Sequence, residues 1–197
     1  MFRLSDGAHI RTIGSKGSDD GQFGVGNGGL AFDSEGNLVV ADPGNHRILV
    51  FRYSDGTHLR SIGSRGAGSG QFNHPWGIAF DGAGHIIVCE NGGHRVQVLR
   101  YSDGAHVRTI GSAETGAGQF QGPVGVAFDA AGHIVVVEWE NSRVQVLRYS
   151  DGAHVRTIGS FGSGNGQFAY PRGGIAIDSD GRIVVADTLN HRVQVLE

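Results

Sequence analysis

Cysteine, lysine, proline and long apolar runs are all scarce in this sequence. The single cysteine, Cys89, excludes an internal disulfide, and Lys16 is the only lysine. Four prolines without a G-X-Y period exclude collagen, and no apolar run is long enough to span a membrane. No basic segment followed by an apolar run opens the chain, so we expect no signal peptide. Together with the lone cysteine, this favours a cytoplasmic location.

The charge balance and the glycine content narrow the class further. The formal net charge is −3, which gives no general attraction to nucleic acid or to anionic lipid. Glycine supplies 35 of the 197 residues, and charged residues make up 18%, so the chain is neither a coiled coil nor a highly charged disordered segment. The composition indicates a soluble protein with many glycine turns.

Internal repetition is the strongest signal in the sequence. The string Gly-Gln-Phe occurs four times, and its phenylalanines, Phe23, Phe72, Phe120 and Phe168, lie 49, 48 and 48 residues apart. The second and third copies share the line RVQVLRYSDGAHVRTIGS without a change. A period of this length is typical of propellers and repeat arrays.

Each period contains four short runs rich in Val, Ile and Phe, separated by glycine turns. In the second copy these runs are 77–80, 85–88, 96–99 and 106–110. None is long enough for a helix, and the Asp-Gly pair between the third and fourth runs predicts a tight hairpin. We therefore predict an all-β propeller with four-stranded antiparallel blades, whose strands a, b, c and d follow one another in chain order.

The chain ends indicate how the blades are divided. Residues 192–197 match a strand c with no strand d after it, whereas residues 9–13 match a strand d with no blade of its own. We predict one domain, 1–197, with blades at about 24–72, 73–120 and 121–168 and a fourth at 169–197 that is completed by residues 1–23. The N-terminal strand would then close the last blade and remove the exposed sheet edges.

Phenylalanines mark the predicted core at two places in each period. Those on strand a are Phe32, Phe80 and Phe128, and those at the blade junctions are Phe23, Phe72, Phe120 and Phe168. We expect all seven to be buried between adjacent sheets, because that is where a propeller buries its apolar side chains.

Residues 183–195, which read IVVADTLNHRVQV, resemble the core of an NHL repeat. Asn190-His191-Arg192 occupies the signature position, and Asn45-His46-Arg47 repeats it. The Pro-x-Gly-Ile/Val-Ala element before it also matches, at 75–79 and 123–127. The resemblance covers every blade and implies a β-propeller used mostly for protein or RNA binding, with a minority of related lyases and lactonases.

An acid at the end of strand b precedes an arginine by five residues in every copy. The pairs are Asp42–Arg47, Glu90–Arg95, Glu138–Arg143 and Asp187–Arg192. A carboxylate and a guanidinium on the two sides of a tight turn can form a bidentate pair. Strand b is second from the axis, so the four acids are poorly placed to share a cation. We interpret them as structural ion pairs and expect no metal site.

The sequence lacks the arrangements expected of a propeller enzyme. Strand a is apolar or small except at its last residue, and no Ser-His-Asp set, Cys-His pair or phosphate-binding glycine loop is present. Of the ten histidines, all but His74 recur at matched positions around the ring, which favours structural roles. We therefore expect a non-enzymatic protein without cofactors. A metal-dependent lactonase or lyase is one alternative, and an engineered or recently amplified repeat protein without a ligand is another.

The copies differ most in the d–a and b–c loops, which share one face of a propeller. The varied residues on this face are His74, Trp76, Trp139, Glu140, Tyr170 and Arg172. Exposed aromatic side chains next to arginine are typical of protein-binding hot spots. We predict a binding or scaffold protein whose partner is a protein, although substitutions that drifted in after duplication explain the same pattern. RNA is disfavoured because acids match arginines nearly one for one.

Four repeats leave the size of the assembled ring open. One chain can close a ring with about 90° per blade, or two chains can share strands in an eight-bladed ring with about 45° per blade. Small residues on strand a favour the first, and large apolar side chains between blades favour the second. We favour the two-chain ring, formed by exchange of the N-terminal strands.

Overall fold

The computed structural model describes residues 6–172 and 174–197. Within them, the regular elements are 17 strands and two three-residue 3-10 turns, Pro43–Asn45 and Thr188–Asn190. Fifteen of the strands form four consecutive sheets, in which strands adjacent in the chain are adjacent in the sheet. The predicted all-β propeller with antiparallel blades is confirmed.

We number the blades in chain order and the strands from β1 to β17. Blade 1 contains β3 (Leu30–Phe32), β4 (Leu38–Asp42), β5 (Arg47–Phe51) and β6 (His58–Ile62). Blade 2 contains β7 (Pro75–Phe80), β8 (His85–Glu90), β9 (Arg95–Arg100) and β10 (His106–Ile110). Blade 3 contains β11 (Pro123–Phe128), β12 (His133–Glu138), β13 (Arg143–Arg148) and β14 (His154–Ile158). Blade 4 contains β15 (Ile175–Ile177), β16 (Ile183–Asp187) and β17 (Arg192–Leu196).

The last blade differs from the prediction that the N-terminal strand completes it. Blade 4 has three strands, and no strand pairing joins β17 to residues 6–14. Residues 9–14 instead lie against blade 1, and residues 1–5, which belong to the same predicted segment, are outside the described residues. The physical reason is local packing, because Ile13 packs against the apolar cluster of Val40, Leu49 and Phe51 in blade 1 and Arg11 donates to the carbonyl of Tyr53.

Each blade begins with the same junction, in which a glycine covers a phenylalanine ring. The ring of Phe72 lies under Gly63, whose φ of +82° is easy only for glycine, and the ring of Phe120 lies under Gly111 in the same way. β1 (Ser15–Lys16) and β2 (Gln22–Phe23) form the junction before blade 1 and pair in parallel. Later junctions keep the same bridges, Arg65 with Phe72, Ala113 with Phe120 and Phe161 with Phe168.

The core consists of the apolar side chains held between neighbouring sheets. Val39, Ile48 and Val50 of blade 1 pack against Ile86 and Leu99 of blade 2, and the next two junctions repeat this arrangement. Near the axis the strands approach more closely: a Cβ at Gly77 would lie 2.8 Å from the Cα of Gly125. Large apolar side chains separate the sheets away from the axis, and glycines let the strands approach closely near the axis, so each blade is wedge-shaped.

The predicted phenylalanine core is correct at the junctions and only partly so on strand a. Phe72, Phe120 and Phe168 are fully buried, whereas Phe23 is half-buried. Phe80 and Phe128 are also half-buried and meet Tyr101 and Tyr149 edge-on. Phe32 is 49% exposed, which corrects the expectation for that residue. Its side of blade 1 has no preceding blade to cover it.

The two ends of the blade series are therefore uncovered. Leu30 of blade 1 is 65% exposed, whereas its counterpart in blade 2, Ile78, is 8% exposed. Val193 of blade 4 is 64% exposed, and its counterpart Val144 in blade 3 is 0% exposed. Both ends present apolar side chains that every internal junction buries. Within the described residues there is no helix with the length and apolarity needed to cross a bilayer.

Replacing a junction phenylalanine tests the packing. Phe120→Ala should reduce the free energy of unfolding by about 3–5 kcal/mol, because it leaves a cavity between blades 2 and 3. The matched control is Phe161→Ala, since Phe161 is 67% exposed and its loss should cost about 1 kcal/mol or less. Urea unfolding followed by circular dichroism measures both values. Equal losses in the two variants would contradict the assigned core.

Turn aspartates link the stability of the fold to pH. Asp55 accepts the backbone N–H of Thr57 at 2.9 Å, and this hydrogen bond and a salt bridge from Arg52 lower the pKa of Asp55 to about 2. The pKa of Asp151 in the equivalent turn is lowered mainly by the Ala153 N–H. Because the folded pKa lies below the ordinary value of about 3.9, the stabilisation of the fold by the ionised aspartate is fully present above about pH 4. This stabilisation is lost as the pH falls through the pKa of the aspartate in the folded protein.

We therefore expect the unfolding temperature to decline between about pH 4 and pH 2. Asp55→Asn should make this decline shallower, because the variant has one fewer carboxylate to protonate at this turn. Asp20→Asn removes an exposed carboxylate that makes no ion pair in the described part of the chain, and it should leave the slope unchanged. An Asp55→Asn slope identical to that of the unsubstituted chain would refute the linkage.

Candidate partner-binding face

A buried carboxylate anchors the loops of the d–a/b–c face in each blade. The four acids Asp42, Glu90, Glu138 and Asp187 are fully buried, and each contacts the arginine five residues later, Arg47, Arg95, Arg143 or Arg192. In blade 3, Arg143 Nε donates to Glu138 Oε1 at 2.6 Å and Nη2 donates to Oε2 at 3.4 Å. This is a bidentate contact, whereas Arg47 contacts Asp42 through Nε alone, at 3.2 Å.

The same groups hold the linker that enters the blade. Glu138 accepts the backbone N–H of Gln121 at 2.8 Å and the side-chain amide of Gln145 at 2.7 Å. Arg143 donates to the carbonyls of Thr115, Gly116 and Gln119. Because the carboxylate is surrounded by donors, its charge stays buried without cost from unpaired oxygens. The network fixes the position of the d–a linker relative to the b–c turn.

Asp187 in blade 4 shows how these donors act. Burial alone would raise the pKa of Asp187, but hydrogen bonds from the Ala169 N–H, from Asn190 and from Arg192 outweigh it, so the pKa is lowered. The carboxylate is therefore ionised at neutral pH and available to its arginine. Its oxygens are occupied by protein donors.

Removing one partner of a buried pair should be costly. Arg143→Ala leaves Glu138 buried without its guanidinium and should reduce the free energy of unfolding by about 3–5 kcal/mol. Arg148→Ala is the matched control, because Arg148 and Asp151 form an exposed pair that solvent screens, so its loss should leave the free energy of unfolding nearly unchanged. Chemical denaturation of both variants measures the difference. A cost for Arg143→Ala as small as that of the control would show that the network does not stabilise the blade.

Three of the predicted face residues come together between blades 3 and 4. The guanidinium carbon of Arg172 lies 3.7 Å from the ring centroid of Trp139, and the Tyr170 ring lies 5.7 Å from that of Trp139. With Thr188 and Leu189 they line a cavity of about 280 Å³. Trp139 comes from the b–c turn of blade 3, and Tyr170 and Arg172 come from the linker into blade 4. We call these five residues the Trp139 cluster.

Leu189 of the Trp139 cluster and the neighbouring Phe161 are not among the six predicted face residues. Leu189 is exposed at the cavity, and Phe161 packs edge-on against Tyr170 with 6.1 Å between ring centroids. The sequence carried a signal for both. Position 161 is arginine or alanine in the two preceding copies, and position 189 is glycine in the first two.

The Trp139 cluster contains two polar groups that are not paired in the usual way within the described residues. Arg172 forms no ion pair within the described residues, in contrast to the four network arginines. The indole Nε1 of Trp139 is buried and has no acceptor among the described residues. Tyr170 has a φ of +47°, and the equivalent linker residues His74 and Gly122 have φ values of +52° and +59°, so this backbone conformation belongs to the repeat.

The other predicted face residues are not members of this cluster, although Trp76 shares a second cavity with Arg172. His74, at a φ of +52°, donates its backbone N–H to His46 Nδ1 at 3.1 Å, and the two rings meet edge-on. Burial, with His74 and Arg65 nearby, lowers the pKa of His46, so its imidazole is neutral and can accept this bond. Trp76 lines a cavity of about 210 Å³ near the axis with Asn27, Val124 and Arg172. Glu140 is exposed.

The opposite face carries a cross-blade network of tyrosine, aspartate and arginine. Tyr101 of blade 2 donates to Asp33 Oδ2 of blade 1 at 2.9 Å, while Arg60 stacks on the Tyr101 ring at 4.3 Å. Blades 2 and 3 repeat the arrangement with Tyr149, Asp81 and Arg108. Burial raises the pKa of both tyrosines. The partners are 68 residues apart in the chain, so local pattern could not reveal them.

No group of three or more His, Cys, Asp or Glu side chains is placed to hold a metal ion in residues 6–172 and 174–197. Each buried acid points into its own blade and is occupied by that blade's donors. The one thiol, Cys89, is buried between blades 2 and 3, and burial raises its pKa, so it is not poised as a nucleophile.

Comparison with known proteins adds a family match. A family model described as NHL repeat matches residues 28–51, 72–99, 120–147 and 168–196. These are four matches, and each spans strand b and all or nearly all of strand c of one blade. A comparison with curated protein sequences found no match.

Several solved structures share the fold at low sequence identity. A virginiamycin B lyase from Staphylococcus aureus, solved with quinupristin, matches with a TM-score of 0.63 and 15% identity, covering 87% of this chain and 52% of the lyase. The WD40 β-propeller domain of Doa1 matches at 0.60 and 16%, covering 86% and 49%. A chain of a nidogen/laminin complex matches at 0.68 and 20%, covering 86% and 60%. The chain thus spans about half the length of the first two.

Proposed function

The chain belongs to the NHL-repeat family, and we propose that it is a non-enzymatic scaffold that binds a protein partner through its d–a/b–c loop face. The observation that carries the proposal is the Trp139 cluster, which combines exposed apolar surface with a cation that lacks a carboxylate partner in the described residues. Aromatic residues and arginine dominate the binding energy of protein interfaces.

The cluster is built on a rigid support. Trp139 follows Glu138 directly, and Glu138 is held by Arg143 and Gln145, so the b–c turn is fixed at its base. The Arg172 backbone N–H donates to Thr188 Oγ1 at 3.0 Å, which fixes the other wall. A preorganised surface loses little side-chain entropy on binding, and this favours useful affinity from a small patch.

Two features favour a protein over a nucleic acid as the partner. A nucleic-acid surface needs a run of free cations, but the network arginines of this face are bound to buried acids and linker carbonyls. In addition, one solved relative of the same fold is a component of a nidogen/laminin complex. This supports a protein-binding role for the fold and leaves the partner of this chain to experiment.

A displayed library of random peptides tests the binding face. Peptides selected on the unsubstituted chain should bind Trp139→Ala and Arg172→Glu at least tenfold more weakly, because each change removes one wall of the cluster. The matched control is Tyr53→Ala, on the opposite face, which should bind normally. Peptides that bind Trp139→Ala as well as the unsubstituted chain would overturn the assigned face. Failure to select any peptide would favour a repeat protein without a ligand.

The structural similarity to a virginiamycin B lyase makes the lactonase or lyase alternative worth a direct test. A screen with lactone and ester substrates, with and without added divalent cations, should show no turnover above a heat-denatured control. Metal-dependent turnover would replace the scaffold proposal with the lactonase or lyase alternative.

We propose further that two copies of the chain assemble as one eight-bladed ring. The two uncovered ends are complementary: blade 4 exposes Val193 and Val195, whose counterparts in blades 1 to 3 bury against the following blade. Blade 1 exposes Leu30, whose counterparts bury against the preceding blade. The four blades also superpose on about half of larger propeller chains, which supports a curvature wider than that of a four-bladed ring.

Measurement of mass tests the ring. Native mass spectrometry at micromolar concentration should show a species at twice 20.7 kDa. Val193→Asp should shift this species to a single chain mass, because it places a charge in the new junction. Val107→Asp, at a valine that is also exposed but faces away from the junctions, should leave the mass unchanged. A single chain mass for the unsubstituted protein would exclude the two-chain ring.

A further inference from the structure

Arg172 gives the Trp139 cluster a positive charge that the other copies of the repeat do not have at this position. The residues that follow the linker proline in blades 2 and 3 are Trp76 and Val124, which are apolar. Glu140 is exposed and follows Trp139 directly, but Arg172 forms no ion pair with it or with any other acid in the described part of the chain. The cluster therefore holds a cation whose charge no neighbouring carboxylate balances.

The stacking of Arg172 on Trp139 leaves the hydrogen-bond donors of the guanidinium free. The central carbon of the guanidinium lies over the indole ring, 3.7 Å from its centroid, so the ring covers one face of the planar group. The N–H donors of a guanidinium point outward in its own plane, away from a ring stacked on its face. A carboxylate can accept two of these donors at once.

A partner can reach Arg172 without displacing a loop. Its side chain is exposed and lines two cavities, one of about 280 Å³ with Leu189 and one of about 210 Å³ with Trp76 and Val124. Its backbone N–H is bonded to Thr188 Oγ1, so the start of the side chain is held in place while its end stays accessible.

Exposed apolar surface lies directly beside this cation. Leu189 is 56% exposed, Tyr170 is 40% exposed, and Phe161, which packs against Tyr170, is 67% exposed. The larger cavity measures about 280 Å³. Pockets for drug-sized ligands measure roughly 300–1,000 Å³, so this cavity is suited to one large side chain.

Trp139 and Gly122 are matched to each other. A Cβ at Gly122 would lie 2.2 Å from Trp139 Nε1, and the equivalent linker positions carry the large side chains of His74 and Tyr170. A side chain of that size at position 122 would displace the indole. Glycine at this position therefore allows Trp139 to lie where it meets Arg172, and this match favours a built surface over independent drift of single residues.

We infer that the partner presents an acidic side chain beside a large apolar one. The apolar side chain enters the cavity formed by Trp139, Tyr170 and Leu189, and the carboxylate accepts the free donors of Arg172. This inference rests on the protein-binding face proposed above and adds the chemistry of the segment that it binds. Apolar groups around the contact exclude water, which strengthens a charge-assisted hydrogen bond.

The composition of selected peptides tests this chemistry. Peptides selected from a random library on the unsubstituted chain should be enriched in Asp or Glu next to a large apolar residue. Selection on Arg172→Glu should replace the acidic residue by Lys or Arg and keep the apolar residue, because the sign of the charge at the site is reversed. Circular dichroism checks that the variant is folded.

Two further variants separate the charge from the apolar contact. Leu189→Gly introduces the residue found at the equivalent positions 44 and 92, and it should keep the acidic preference while weakening the apolar one. The matched control is Arg65→Glu, which makes the same change of charge at an exposed arginine of the linker before blade 2. It should leave both preferences unchanged.

One selected peptide then measures the contact directly. A version with lysine in place of its acidic residue should bind the unsubstituted chain about tenfold more weakly, as expected for a central charged contact. The same lysine peptide should regain affinity for Arg172→Glu. A folding defect in that variant cannot produce this gain, so the pair of measurements isolates the interaction.

The outcomes distinguish this inference from the proposed face. Peptides that lose binding to Trp139→Ala but show no acidic enrichment would overturn the inferred chemistry and leave the face standing. Acidic enrichment that persists on Arg172→Glu would do the same. Peptides that bind Trp139→Ala normally would overturn the face and this inference with it, and a library that yields no binding peptide would refute both.

Discussion

At every junction between blades a phenylalanine ring lies beneath a glycine with positive φ, and this contact positions each blade against the next. Phe72, Phe120 and Phe168 fill these junctions completely, and Gly63 and its counterparts allow the chain to pass directly over the rings. Any Cβ at those glycines would overlap the ring. Since each junction uses the same parts, each blade is turned by the same step, and this step sets the curvature of the whole series.

The ion-pair network depends on the junction, because the linker that carries the phenylalanine is also the linker that the arginine holds. Arg143 binds the carbonyl of Gln119, next to Phe120, and the buried carboxylate of Glu138 binds the backbone just after it. Packing and hydrogen bonding thus secure the same segment from its two sides. A fully satisfied buried network of this kind favours one arrangement over nearby alternatives.

The proposed binding surface results from the phenylalanine–glycine junction and the buried ion pair together. The Trp139 cluster forms where the b–c turn of blade 3 meets the linker into blade 4, so its shape is determined by one junction and one ion pair. The same curvature leaves Leu30 at one end and Val193 at the other without a neighbour. The proposed face and the proposed assembly are therefore two consequences of a single repeated packing step.

The blade architecture follows directly from the sequence pattern, because its signals are local and occur four times. Strand order, turn aspartates and the spacing of acid to arginine each depend on a few neighbouring residues, and the period of about 48 residues repeats them, so the pattern predicts them directly. Strands extended further than predicted, to Glu90 in β8 and from Arg95 in β9, because the ion pair continues the ladder. The tertiary structure alone decided how far each blade turns, since that depends on side-chain packing across about 48 residues of chain. It therefore decided that Phe32 is exposed, that residues 9–14 lie at blade 1, and that Trp139, Tyr170 and Arg172 meet.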